Sequence, residues 1–189
     1  MNSFGIVVLL AAATGAMAAG DAPRPKRVVT VCLNPGANGS IMYRGQDTAA
    51  QILKSAGMRL NWTGEERACV QGQGISVTVS LETPPDQHPG ALAYALPFDR
   101  TRVVLFYDRV LKAAGSSLVP RLLGHVLAHE IVHVLQGLDT HSTSGLMKPR
   151  WDKRDFDAMQ RAPLSFTPED LNLIDRGLAW HGSRSHPAE

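Results

Sequence analysis

The chain is short of several things, and each shortage closes off a class of protein. Its formal net charge is only +2 over 189 residues. That is too little for a nucleic-acid footprint, and no basic stripe runs along it. There is no internal repeat and no low-complexity tract, which excludes solenoid and fibrous designs. Beyond the N-terminal leader there is no apolar run near the roughly 20 residues that a membrane span needs. Cysteine is scarce, with only Cys32 and Cys69, so at most one disulfide can form. In an exported protein such a pair is a candidate bridge. Closing that loop would stabilise the fold by roughly 3–4 kcal/mol through the unfolded state. The alternative is two buried free thiols.

What remains is ordinary globular material. Hydrophobic residues make up 44% and charged residues 19%, and the length suits one domain with a real core. The first 19 residues resemble a secretory signal peptide: Phe4 to Ala18 carries no charge, and "AMA" at Ala16 to Ala18 is a small-x-small cleavage pattern. An uncleaved anchor is the other reading. The expected organisation is a signal peptide (1–19), a proline-bearing linker (20–26), a domain (27–182) and a tail (183–189). The expected location is secreted or periplasmic, with no stable membrane insertion after cleavage.

Patterning suggests strands at 27–33, 58–63, 75–82, 91–98 and 102–108, where β-rich or alternating apolar residues run between turn signals. Pro97 would suit an edge strand. Helical spacing appears at 48–57, from Ser116 or Ser117 as cap to Gly137, and from Thr167 to Trp180. The segment 148–166 shows little regular pattern. The order is β-α-β-β-β-β-α-loop-α, an α/β chain whose sheet is at least partly parallel.

Chemistry concentrates in "GHVLAHEIVHVLQGLDTHSTSGLM", Gly124 to Met147, which holds four of the seven histidines. On a helix His129 and His133 share a face one turn apart. Two imidazoles at that spacing can grip one tetrahedral zinc, and Glu130 between them can reach a metal-bound water. The flanks are apolar, so the helix is buried. Two histidines and a glutamate buried without partners would be costly, and a metal is the simplest partner. His125 continues the row another turn back. The outer pair of that row is about 12 Å apart along the axis, too far for one ion, so His125 reads as support or core.

The stretch resembles the metzincin motif, in which a glycine after the second histidine turns the chain and a third ligand reaches back. Counted without a gap, Gln136 stands where the glycine belongs and Asp139 where the ligand belongs. With one extra residue on each side of the glycine the string is HExxHxxxGxxxH, giving Gly137 and His141. The gapped reading is preferred, because Gly137 tolerates φ > 0 and imidazole suits zinc. Asp139 stays open, and Glu169 is a further alternative of a different class. "HS…GLM" is similar to the segment that leads to a Met-turn, which would make Met147 the apolar floor beneath the metal.

The resemblance covers about Arg27 to Trp180. It implies a metzincin-like catalytic domain, with a mixed, mostly parallel twisted sheet, an antiparallel edge strand, a zinc helix and a C-terminal helix. The upper lobe would be 27–137 and the lower lobe 138–182. It implies a zinc-dependent endopeptidase with Zn²⁺ on His129, His133 and His141 and Glu130 as general base. A peptide or protein would be the substrate, paired along the edge strand, and the chain would act as a monomer. Trp151 is a candidate wall of the pocket beyond the scissile bond. A non-catalytic zinc-binding module of the same fold is the alternative.

Overall fold

Strand β1 (Arg27–Leu33) is the apolar run that opens the domain, and its buried residues include Val29, Val31 and Leu33. It lies between two parallel neighbours, β2 (Met58–Thr63) and β3 (Ile75–Ser80). Strand β5 (Arg102–Phe106) continues the parallel order beside β3. Strand β4 (Ala93–Leu96) closes the edge antiparallel to β5, so the sheet reads β2-β1-β3-β5-β4. This is the expected mixed α/β fold. The computed structural model describes residues 27–33, 39–70, 74–99 and 101–184. The expected signal peptide and linker, 1–26, lie outside the described residues, as does 185–189. Among the described residues no helix is long and apolar enough to cross a membrane.

Several elements differ from the sequence expectation. Helix α1 (Gly39–Ser55) begins nine residues before Thr48; its first half buries Met42, Gly45 and Gln46 between polar positions, a face too narrow to read as periodic. A single turn, α2 (Arg67–Val70), follows β2. The apolar run at 102–108 is split, because the chain turns into α3 (Tyr107–Ala113) directly after Phe106. The 148–166 segment contains α5 (Lys153–Arg161), held at its start by a reciprocal Asp152/Asp155 capping box. Helix α6 (Pro168–Arg184) runs two residues into the expected tail.

Helix α4 (Val119–Gln136) organises the rest. Leu118 is its N-cap and makes no side-chain cap. Ser116 and Ser117 are not needed there, because the Gly115 carbonyl accepts from the N–H groups of both Leu118 and Val119. Every residue of α4 is buried except Arg121 and Glu130. Its apolar side chains meet α1, β4, β5 and α6. The crossing with α1 is close: a Cβ at Gly124 would collide with Thr48 and with the Gly45 carbonyl. Packing at this depth fixes the rotation of α4, and therefore where its histidines point.

Cys32 and Cys69 are joined in a disulfide that ties the end of β1 to α2 across 37 positions.

Candidate metal centre

Helix α4 ends at Gly137, which takes φ 67° and ψ 31° and donates its N–H to the His133 carbonyl. This left-handed cap costs a residue with a Cβ about 1–2 kcal/mol. It turns the chain back over the last helical turn. The Leu138 carbonyl then lies 2.9 Å from His133 Nδ1, and the loop brings His141 over the helix.

Three imidazoles meet there. His133 Nε2 is 3.0 Å from His129 Nε2 and 3.2 Å from His141 Nε2, and ligand atoms of all three residues lie within 4.8 Å of one another. The first pair cannot be a hydrogen bond. His129 Nδ1–H donates to the Leu146 carbonyl at 2.9 Å, and His133 Nδ1–H donates to Leu138. Each acceptor fixes the tautomer, which leaves a lone pair on each Nε2. Neither ring picks up a proton to relieve the clash. Burial, with the neighbouring histidines, pushes His129 down to about 3. Burial first also brings His133 down to about 4. Facing lone pairs in a desolvated pocket call for a cation. Tetrahedral zinc with bonds of about 2.0–2.1 Å spaces its nitrogens about 3.3 Å apart, close to what is found. The donor set therefore fits zinc.

His141 is exposed, whereas His129 and His133 are buried. Burial still lowers its pKa, opposed by the charge of Asp139. Asp139 lines the same cleft and acts on His133 in the same sense, but it is not part of the three-residue cluster. Glu169 is distant in role: it is exposed and paired with Arg176 at 3.0 Å.

Glu130 opens onto the cleft from the helix, a cavity of about 410 Å³ bounded by the His88–Pro97 segment on one side and Lys148–Phe156 on the other. It is half-buried there. Burial pushes its pKa up to about 8, against a hydrogen bond from the Ala95 N–H that favours the charged form. Ala95 belongs to the edge strand. Phe106 N–H donates to the Leu92 carbonyl at 2.9 Å, so Leu92, Tyr94 and Leu96 turn their backbones to β5. Ala93 and Ala95 therefore turn theirs away from the sheet, toward the cleft.

Other expected residues are placed as follows. Met147 is buried beside Leu146 in the core, and its carbonyl accepts from Ser142 N–H at 2.8 Å. Trp151 lines the cleft and stands edge-on to His129, ring centroids 5.6 Å apart. His125 is a satisfied core histidine: Nδ1–H donates to the Arg121 carbonyl at 2.7 Å, and Nε2 accepts from Leu164 N–H at 3.0 Å.

Sequence reading misses two supports. Arg109 on α3 donates to the carbonyls of His88 and Ala91 at 2.7 and 2.9 Å, pinning the rim beside the edge strand. Asp170 on α6 accepts from Ser142 Oγ at 2.5 Å and Thr167 N–H at 2.7 Å. The "TPED" capping signal announces the second bond but not the first.

Fold and cluster together define a mixed α/β chain with a candidate three-histidine metal centre beneath one long helix. No protein-family model matches it, and no curated protein matches it significantly. Among solved structures, the crystal structure of archaemetzincin from Methanopyrus kandleri aligns over 86% of this chain and 99% of that one, with 16% identity and a TM-score of 0.47. A likeness at that level says nothing of chemistry, and the site stands on its own geometry.

Proposed function

We propose that the protein is an exported zinc-dependent endopeptidase. The observation that carries this is the convergence of three imidazole Nε2 atoms on one point of a cleft that Glu130 also faces. His129, His133 and His141 would hold the ion. Zinc held there would supply Lewis acidity, polarising a carbonyl and making water acidic near neutral pH.

The protein's own groups do the rest. Glu130 takes a proton from the attacking water on its carboxylate and delivers it to the departing amine. The Ala93 backbone, turned away from β5, would offer an extended peptide one more strand at the sheet edge. Trp151 and Arg150 bound the far side of the cleft and would contact residues beyond the scissile bond. Met147, buried beside Leu146, would be the apolar floor beneath the metal. The apolar run with its "AMA" cleavage pattern and the Cys32–Cys69 bridge both favour an oxidising compartment outside the cytoplasm.

The test is a digest of a broad peptide library by the purified protein with and without a chelator. One bound zinc per chain with chelator-sensitive cleavage is expected. Stoichiometric zinc with no cleavage would make it a binding module, and no zinc at all would overturn the reading.

A further inference from the structure

The three histidines are not held equally. His129 and His133 each have an Nδ1–H anchored on a backbone carbonyl, at Leu146 and Leu138. His141 is exposed, and among the described residues no hydrogen bond reaches its Nδ1. Its neighbour Ser142, by contrast, is gripped firmly, and its Oγ also lies 3.5 Å from Thr167 Oγ1. The Ser142 N–H donates to the Met147 carbonyl at 2.8 Å, and Oγ donates to Asp170 Oδ1 at 2.5 Å. Asp170 is 2% exposed. Its other oxygen accepts from Thr167 N–H, and its own N–H donates to Thr167 Oγ1 at 3.1 Å. The carboxylate is therefore fixed by the first turn of α6 before it meets the loop.

We infer that Asp170 and Ser142 are positioning residues for the third metal ligand: α6 holds the loop at Ser142 so that His141 meets the other two imidazoles. The inference rests on the zinc reading above. A ring with no anchor of its own loses orientation when its backbone is released, and loss of such outer support commonly weakens metal binding 10–100-fold. Ser142 touches neither the ion's position nor the cleft, so its effect would pass through the loop alone.

The experiment is zinc competition against a chromophoric chelator, using the full chain, with thermal unfolding of the zinc-free protein alongside. Ser142→Ala leaves the α6 capping box intact. It should weaken zinc binding about tenfold or more while the zinc-free melting temperature stays near that of the parent. Ser142→Thr, which keeps the hydroxyl, should restore most of the affinity. Asp170→Asn should weaken binding as well, and the double variant should be no worse than the weaker single one. Affinity within twofold of the parent in Ser142→Ala overturns the inference while leaving the zinc reading intact. A loss of zinc-free stability that accounts for the lost affinity also overturns it. A parent chain that fails to bind zinc overturns both.

Discussion

Leu146 and His129 are 17 positions apart, and the carbonyl oxygen of the first lies 2.9 Å from Nδ1 of the second. That contact fixes which nitrogen of His129 carries the proton and leaves Nε2 free for a metal. Because the His129 and His133 rings are kept neutral by burial, no proton need be expelled from them when an ion binds near neutral pH.

Glu130→Gln keeps the shape of the side chain and removes its basicity. Cleavage should fall by about 10²- to 10⁴-fold while zinc content per chain is unchanged. Metal analysis and steady-state rates on the same preparation check this. Activity that persists near the parent level would remove Glu130 from the mechanism.

His125 should make stability depend on pH. Burial lowers its pKa below the ordinary 6.5, helped by the Arg121 charge and opposed by the hydrogen bond to the Arg121 carbonyl. Arg44 and Asp47 of α1 and Arg161 of α5 line the same cavity. The unfolded chain therefore binds the proton more readily, so the neutral ring's contribution is complete above about pH 6.5 and is lost as pH falls from there through the lowered value. His125→Phe orphans the Leu164 N–H and should cost about 1–3 kcal/mol at pH 7.5. Urea unfolding across a pH series should show that gap shrinking toward pH 5. A gap that does not change with pH would contradict it.

Arg109→Ala should loosen the cleft rim. Its guanidinium bonds the carbonyls of Gln87, His88 and Ala91 and sits 5.2 Å from the Phe106 ring centroid. Amides of residues 90–93 should exchange with solvent faster, and KM for peptides should rise more than kcat falls. Unchanged exchange in that segment would show that the rim holds itself.

Cys69→Ser should lower unfolding free energy by roughly 3–4 kcal/mol, the loop-closure value for a bridge of this span. Denaturant titration of the variant and of the reduced parent should give similar losses. Equal midpoints for oxidised and reduced parent would rule out a stabilising bridge.

The strands were legible because a two-residue alternation or a β-branched run is written locally, as in "RVVTVCL" and "ISVTVS". The histidine helix was legible for the same reason, its spacing and its terminal glycine lying within one stretch. Helix α3 escaped because Phe106 passes into it with no glycine, proline or side-chain cap between strand and helix. Helix α5 fully buries only Met159, with Phe156 half-buried one turn before it, so its apolar stripe is too short to find. Its supports are polar: the Asp152 box, Lys148 bridging Asp152 and Asp155, and Arg121 reaching the Met159 and Gln160 carbonyls. Within the candidate site, residue types could be read from spacing. The carbonyls and the carboxylate that aim them could not, because they come from segments joined only by the fold.

The Ser142–Asp170 bond spans 28 positions toward the C-terminus, and this has a bearing on how the chain is made. A ribosome releases His129, His133 and His141 well before α6 exists. On the inference above, a chain that lacks a docked α6 would carry all three histidines with the third untethered, and would compete poorly for zinc. The order of folding would then decide when the metal is held.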